Sequence, residues 1–286
     1  MSVHATTVCK TVADVRAALG PARADGRSIA LVPTMGALHD GHLALIQQAA
    51  ENSDLVVVSI FVNPTQFNDA ADLDAYPREL ERDIALATVA GAELIFAPDT
   101  SELYPDGFNT EVRVSGPLTE SLEAEQRGAA HFHGVTTVVT KLLAIVQPDT
   151  AVFGAKDAQQ LLVIEQLVRD LNLPVGIVRG ETVREPDGLA MSSRNARLSD
   201  AARRQAAAIS RSLAAAADAH RLGEAPISAA ARVLEAADIA PEYLALCDAA
   251  TLGPAVQGRE SILLVAASVG GVRLIDNIVL NPQPEP

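Results

Sequence analysis

The chain has 286 residues, with 49% hydrophobic and 20% charged, a balance that excludes a disordered or low-complexity polypeptide and permits one large or two unequal domains. Its net charge of -14 opposes binding along a nucleic-acid backbone, so no nucleic-acid partner is expected. No run approaches the roughly 20 apolar residues of a membrane span, the first residues lack the features of a secretory signal, and Cys9 and Cys247 give no disulfide framework or metal-ligand spacing. A cytoplasmic protein without a membrane partner is expected.

In chain order, strands are predicted at 28–32, 55–60, 93–96, 151–153 and 175–178. Helical patterns lie between or after them at 43–50, 77–89, 135–146 and 158–171. This alternation predicts an α/β domain, a parallel sheet covered by helices on both faces. The run 109–114 alternates as an additional or edge strand would. Beyond Asp187-Gly188 the composition changes. An alanine-rich helix at 200–220, a second helix at 228–237 and strands at 243–246, 261–267 and 273–278 predict a smaller α+β domain with an antiparallel sheet. The boundary is expected near 178–185, giving domains of 1–180 and 181–286, and the proline-rich end 281–286 is expected to fray.

Ligands of such a sheet gather beyond the carboxyl ends of its strands, and His39 and His42, 63–68, 154–160 and the chain from Arg179 onward all follow predicted strands. Pro33-Thr-Met-Gly-Ala-Leu-His-Asp-Gly-His42 reads as a strand end, a glycine turn and a helix start, where unpaired N–H groups and the helix dipole favour an anion. Gly36 supplies turn freedom, and Gly41 leaves room for a close ligand. His39 and His42 can both face one phosphate; the alternative is one histidine capping a turn and the other exposed. Phe61-Val-Asn-Pro-Thr-Gln-Phe67 forms a polar rim in which Gln66 can hold a carboxylate, hydroxyl or amide, while Phe61 and Phe67 are packing residues.

In Gly154-Ala-Lys-Asp157, Lys156 can place a point charge on a polyphosphate, and Asp157 can orient it, bind a ribose hydroxyl or cap the helix. Gln160 lies one helical turn further on. A plain surface ion pair is the competing account. Met191-Ser-Ser-Arg194 offers two hydroxyls and a guanidinium suited to a departing pyrophosphate. Arg179, Arg184, Arg194, Arg197, Arg203 and Arg204 fall in one stretch, which fits an anion site or a solvated basic face. Glycine-rich dinucleotide and P-loop signatures, the serine elbow and the zinc-protease motif are all missing. These segments together point to a nucleotide-using enzyme.

Five blocks in order resemble the pantothenate synthetase (pantoate–β-alanine ligase) family of the HIGH-motif nucleotidyltransferase superfamily. They are Pro33 to His42, Phe61 to Phe67, His131-Phe-His-Gly-Val135, Gly154-Ala-Lys-Asp-Ala-Gln-Gln160 and Val183-Arg-Glu-Pro-Asp-Gly-Leu-Ala-Met-Ser-Ser-Arg-Asn195. The resemblance implies a Rossmann-like nucleotidyltransferase domain with a smaller α+β C-terminal lid domain. It implies an ATP site of Met35, Gly36, Ala37, Leu38, His39, Asp40, Gly41, His42, Gly154, Ala155, Lys156, Asp157, Val183, Met191, Ser192, Ser193 and Arg194. Catalysis would fall to His42, His39, Lys156, Ser192, Ser193 and Arg194. Gln66 would touch pantoate and β-alanine, and Gln160 would hold pantoate.

Mg²⁺ accompanying ATP and a homodimer formed through the larger domain are further implications of the resemblance, while no metal-ligand set is expected on the protein itself. So is a two-step reaction through pantoyl adenylate, releasing pyrophosphate and then AMP. The chain departs from the family pattern at Ala155 (usually glutamate), Ala158 (usually aromatic), His133 (usually arginine) and Gly128-Ala-Ala130 (often carrying Arg-Pro). Two other readings are a related transferase that leaves a nucleotide on its product and a nucleotide-binding regulator without turnover. Gln66 and Gln160 around a small acid favour the ligase.

Overall fold

The computed structural model describes residues 6–68 and 70–282; residues 283–286 of the end expected to fray lie outside them. The chain divides into two compact units. One runs to Ala155 and includes Val163–Glu181, and the other combines Lys156–Leu162 with the chain from Thr182 onward.

In the first unit, among the described residues, six strands form one parallel sheet: β1 (Thr7–Cys9), β2 (Ile29–Thr34), β3 (Leu55–Ile60), β4 (Leu94–Phe96), β5 (Thr150–Gly154) and β6 (Gly176–Gly180), in the order β1-β4-β3-β2-β5-β6. All six residues of β3 are buried, as a strand covered on both faces requires. The order reverses between β2 and β5, so the carboxyl ends of these neighbours open the crevice where ligands of such sheets bind. Helices α1 (Val12–Ala24), α2 (Asp40–Asn52), α3 (Ala70–Asp74), α4 (Leu80–Ala90), α5 (Thr100–Leu103), α6 (Glu123–Arg127) and α7 (Ala129–Val146) intervene, and α8 (Ala158–Asp170) begins in the second unit and ends in the first. Val32, Ile46, Val58, Ala87 and Ile95 join one apolar cluster that packs α2 and α4 on the sheet. Each fully buried Val or Ile contributes about 1.5–3 kcal/mol, which makes the position of α2 expensive to change.

The run 109–114 is not a strand. At its middle, Val112 is bonded by hydroxyls of α7 instead: it donates its N–H to Thr137 Oγ1 at 3.0 Å, and Thr136 Oγ1 donates to the Val112 carbonyl. Side chains one helical position apart thus take the bonds that a neighbouring strand would supply.

The second unit holds α9 (Asp200–Arg221), α10 (Pro226–Ala236) and an antiparallel sheet of β7 (Pro241–Asp248), β8 (Ser261–Val269) and β9 (Val272–Leu280), with β8 central. Ser199 caps α9 by accepting the Ala202 N–H at 3.3 Å, and His220 and Arg221 meet the negative end of its dipole. The buried stripe Ala202, Ala206, Ile209, Leu213 and Ala216 recurs at helical spacing and packs with Leu263, Val265 and Leu274 of the sheet. Among the described residues, no helix is long and apolar enough to cross a membrane.

Candidate active site

The turn after β2 is held from below by a residue that sequence reasoning did not single out. Asp83 of α4, 1% exposed, accepts the Ala37 N–H at Oδ2 and the Leu38 N–H at Oδ1, both at 2.8 Å. Gly36 has φ +83°, and a Cβ there would stand 2.9 Å from Asp83 Oδ2. Glycine is therefore demanded twice, by backbone conformation and by the buried carboxylate. Thr34 Oγ1 accepts the Gly36 N–H at 3.2 Å and donates to the Ser59 carbonyl at 2.7 Å, fixing the turn to β3.

The two histidines cap α2 reciprocally. His39 Nδ1 accepts the Gly41 N–H at 3.2 Å, and His42 Nδ1 accepts the His39 N–H at 3.4 Å. This is a capping box built from imidazoles. Because both Nδ1 atoms accept, each neutral ring carries its proton on Nε2. The rings lie 4.1 Å apart at 35°, side by side at the positive end of the helix.

At the end of β3, Asn63 organises the rim. It is 1% exposed; its Nδ2 donates to Gln66 Oε1 at 3.0 Å and to the Gly134 carbonyl at 3.2 Å, and its Oδ1 accepts from Tyr104 and Thr65 hydroxyls at 2.9 Å each. Burial raises the Tyr104 hydroxyl above its usual pKa, which keeps it a donor. With its oxygen taken by Asn63, Gln66 presents its NH₂ group, which reaches Met35 Sδ at 2.9 Å. Gln66 and the turn after β2 are thereby in contact. Phe61 is buried and Phe67 meets the Tyr76 ring edge-on, the packing roles expected of them.

In the second unit, Lys156 Nζ lies 4.0 Å from Asp157 Oδ2, with the Lys156 side chain 19% exposed and Asp157 48%. The pair is loose enough to leave both heads available to a ligand. Gln160, two residues into the following helix after Ala158, is half-buried, whereas Gln159 is buried. Val183 accepts the Met191 N–H at 2.9 Å, closing a hairpin whose arms meet at Arg184 and Ala190. Ser192 then caps a 3-10 turn, its Oγ accepting the Arg194 N–H at 3.2 Å while its own hydroxyl proton remains a donor. Three of the six arginines in this stretch belong to the scaffold: Arg179 pairs with Glu165, Arg184 with Asp276, and Arg203 with Glu185 and Asp187. Asn195, absent from the expected site, donates to Glu185 Oε1 at 2.6 Å and to the Ala190 carbonyl at 3.0 Å. Among the described residues, no group of three His, Cys, Asp or Glu side chains could hold a metal ion.

A family model described as pantoate-beta-alanine ligase matches residues 7–279. The chain is 50% identical over 278 residues to a pantothenate synthetase of Pseudomonas fluorescens (strain Pf0-1), covering 95% of this chain and 97% of that one. The chain belongs to the pantoate–β-alanine ligase family. Its fold superposes on the crystal structure of pantothenate synthetase from Thermus thermophilus with a TM-score of 0.90 at 45% identity, covering 97% of this chain and 100% of that one. A pantoate–β-alanine ligase of Francisella tularensis, crystallised in complex with beta-gamma ATP and beta-alanine, gives 0.80 at 32% identity over 96% and 98%. The Rossmann-like sheet with a smaller α+β unit is therefore the architecture of this ligase family.

Proposed function

We propose that the chain condenses pantoate with β-alanine, using ATP and passing through pantoyl adenylate. The observation that carries this reading is the pair of capped histidines at the α2 terminus, beside the strand-order reversal of a chain in the pantoate–β-alanine ligase family. In the first step a pantoate carboxylate oxygen bonds to the α-phosphorus, and the bond to the bridging oxygen breaks as pyrophosphate leaves. The Nε2–H groups of His39 and His42 donate to the α-phosphate oxygens as they gain charge. Lys156 and the Ser192, Ser193 and Arg194 donors hold the departing pyrophosphate. In the second step the amine of β-alanine attacks the activated carbonyl, loses a proton, and AMP leaves. Neither step needs an enzyme nucleophile; alignment supplies much of the acceleration.

Met35 to His42, Gly154 to Asp157, Val183 and Met191 to Arg194 form the ATP contacts in this reading, Gln66 touches both small substrates through its oriented NH₂, and Gln160 holds pantoate. Mg²⁺ enters with ATP as part of the substrate, where it neutralises triphosphate charge. Asp157, a half-exposed hard-oxygen donor beside Lys156, could face that ion. A homodimer built on the larger domain, a lid role for the smaller one with its break at 180/181, and a cytoplasmic setting belong to the same reading.

Incubation with pantoate, β-alanine and Mg-ATP tests it: AMP and an amide product are expected. Labelled pyrophosphate should enter ATP with pantoate present and β-alanine absent. A stable nucleotidyl product would instead identify a related transferase, and intact ATP binding without product would identify a regulator.

A further inference from the structure

Two consecutive residues of β9 grip both ATP-facing segments of the second unit. Asp276 and Asn277 pair with Val265 and Leu264 of the central strand β8, and consecutive strand residues point to opposite faces. The Asp276 carboxylate, 1% exposed, receives Arg184 in a two-pronged ion pair, Nη1 to Oδ2 at 2.6 Å and Nη2 to Oδ1 at 3.1 Å. Arg184 Nη1 also donates to the Gly188 carbonyl at 3.2 Å, which braces the hairpin leading to Met191 and Ser192. On the next residue, Asn277 Nδ2 donates to the Lys156 carbonyl at 2.9 Å, across 121 positions of sequence. Asn277 is 8% exposed. Aspartate and asparagine are poor strand formers, and a buried carboxylate is costly to desolvate, so neither residue is explained by the stability of β9 alone.

We infer that Asp276 and Asn277 are positioning residues that set Lys156 and the Ser192–Arg194 donors at a fixed spacing on one strand. Asn277 acts through the Lys156 backbone, and Asp276 acts through Arg184 and the hairpin; neither touches substrate. The inference rests on the proposed role of Lys156 and Ser192–Arg194 in holding the phosphates. Its physical basis is that a misplacement of about 1 Å at a catalytic group can cost on the order of a hundredfold in rate.

The test is a double-mutant cycle on the full chain, with single-turnover formation of pantoyl adenylate from ATP and pantoate as the readout and thermal unfolding as the control. Asn277→Ala should slow adenylation roughly ten- to a hundredfold in the presence of Lys156. With Lys156→Ala already in place, adding Asn277→Ala should cost less than about twofold, because the group it positions is gone. Equal losses in both backgrounds would make Asn277 a stability residue and overturn the inference while leaving the proposed function standing. A normal rate in Lys156→Ala alone would instead refute the phosphate role on which the inference rests. Should Asn277→Ala fail to fold, Arg184→Lys, which keeps Asp276 paired with a cation, carries the same logic for the hairpin: its loss should vanish in a background that lacks all three donors (Ser192→Ala, Ser193→Ala and Arg194→Ala), and an additive loss would overturn it.

Discussion

Gly134 of α7 lies so close to Thr65 that a Cβ at position 134 would stand 2.4 Å from the Thr65 carbonyl oxygen and 2.7 Å from the Gln66 backbone nitrogen. The helix and the turn therefore touch backbone to backbone, and His131 Nδ1, 2.7 Å from the Gln66 carbonyl, secures the contact one turn earlier. Two blocks 71 positions apart in sequence are thereby one polar rim. Gly134→Ala must push them apart, at a cost of roughly 1–3 kcal/mol in stability. Because Gln66 moves with the turn, KM for pantoate and β-alanine should rise severalfold while ATP affinity measured by titration stays near the parent value. Unchanged KM values would show that the rim tolerates the shift.

Asp83→Asn tests the support under the turn after β2. An amide has one acceptor where the carboxylate has two, so its NH₂ would face the N–H of Ala37 or Leu38. The unsatisfied pair should lower unfolding free energy by about 1–3 kcal/mol, measured in urea, and weaken ATP binding. ATP affinity within twofold of the parent would mean that the turn holds its shape without Asp83.

His42→Ala should lower the adenylation rate by roughly 3–4 kcal/mol of transition-state stabilisation, read by rapid-quench detection of pantoyl adenylate. It also removes the acceptor for the His39 N–H, a cap worth about 1 kcal/mol. His42→Asn separates the two effects, since its carbonyl restores the cap without an imidazole N–H. Adenylation should remain slow while stability returns. Near-normal adenylate formation, with only the β-alanine step slowed, would move His42 to the second half-reaction.

Arg203 joins Glu185 and Asp187, and the hydrogen bond from Arg203 is the main reason the Asp187 carboxyl is held below its usual 3.8. A depressed folded-state pKa gives stability that is fully present above 3.8 and is lost as the pH falls through the lower folded value. Arg203→Gln should therefore lower the thermal midpoint near neutral pH, and its gap to the parent should close in strong acid. With Asp187 partly exposed, the effect is roughly 0.5–1 kcal/mol. A gap that persists unchanged into strong acid would assign the loss to Arg203 packing rather than to charge.

The strands of the first sheet were legible because double burial writes itself as unbroken apolar runs, as in Leu55–Ile60. The first strand and helix were not: Thr7–Cys9 is too short to show a period, and Val12–Ala24 contains Gly20 and Pro21, both marks of a helix end. The alternation at 109–114 misled because its bonding partners are hydroxyls on a helix, which no local pattern records. In the candidate site, His39, His42, Gln66 and Lys156 stood out as unusual polar residues after strands. Asp83 did not, since within Glu79-Leu-Glu-Arg-Asp83 it reads as one more charge on a solvated face. Asp276 and Asn277 likewise passed as ordinary members of the strand predicted at 273–278. A buried polar residue shows itself only when its long-range partner is known.

The chain passes between the two compact units at 155/156, 162/163 and 181/182. Recombination between relatives therefore meets an asymmetry. A chimera joined at residue 181 takes its Lys156 segment from one parent and the Asn277 that holds it from the other, so the hydrogen bond between them must be compatible across two lineages. A junction just before residue 156 inherits both from a single parent, and the donor's Arg184–Asp276 pair comes with them.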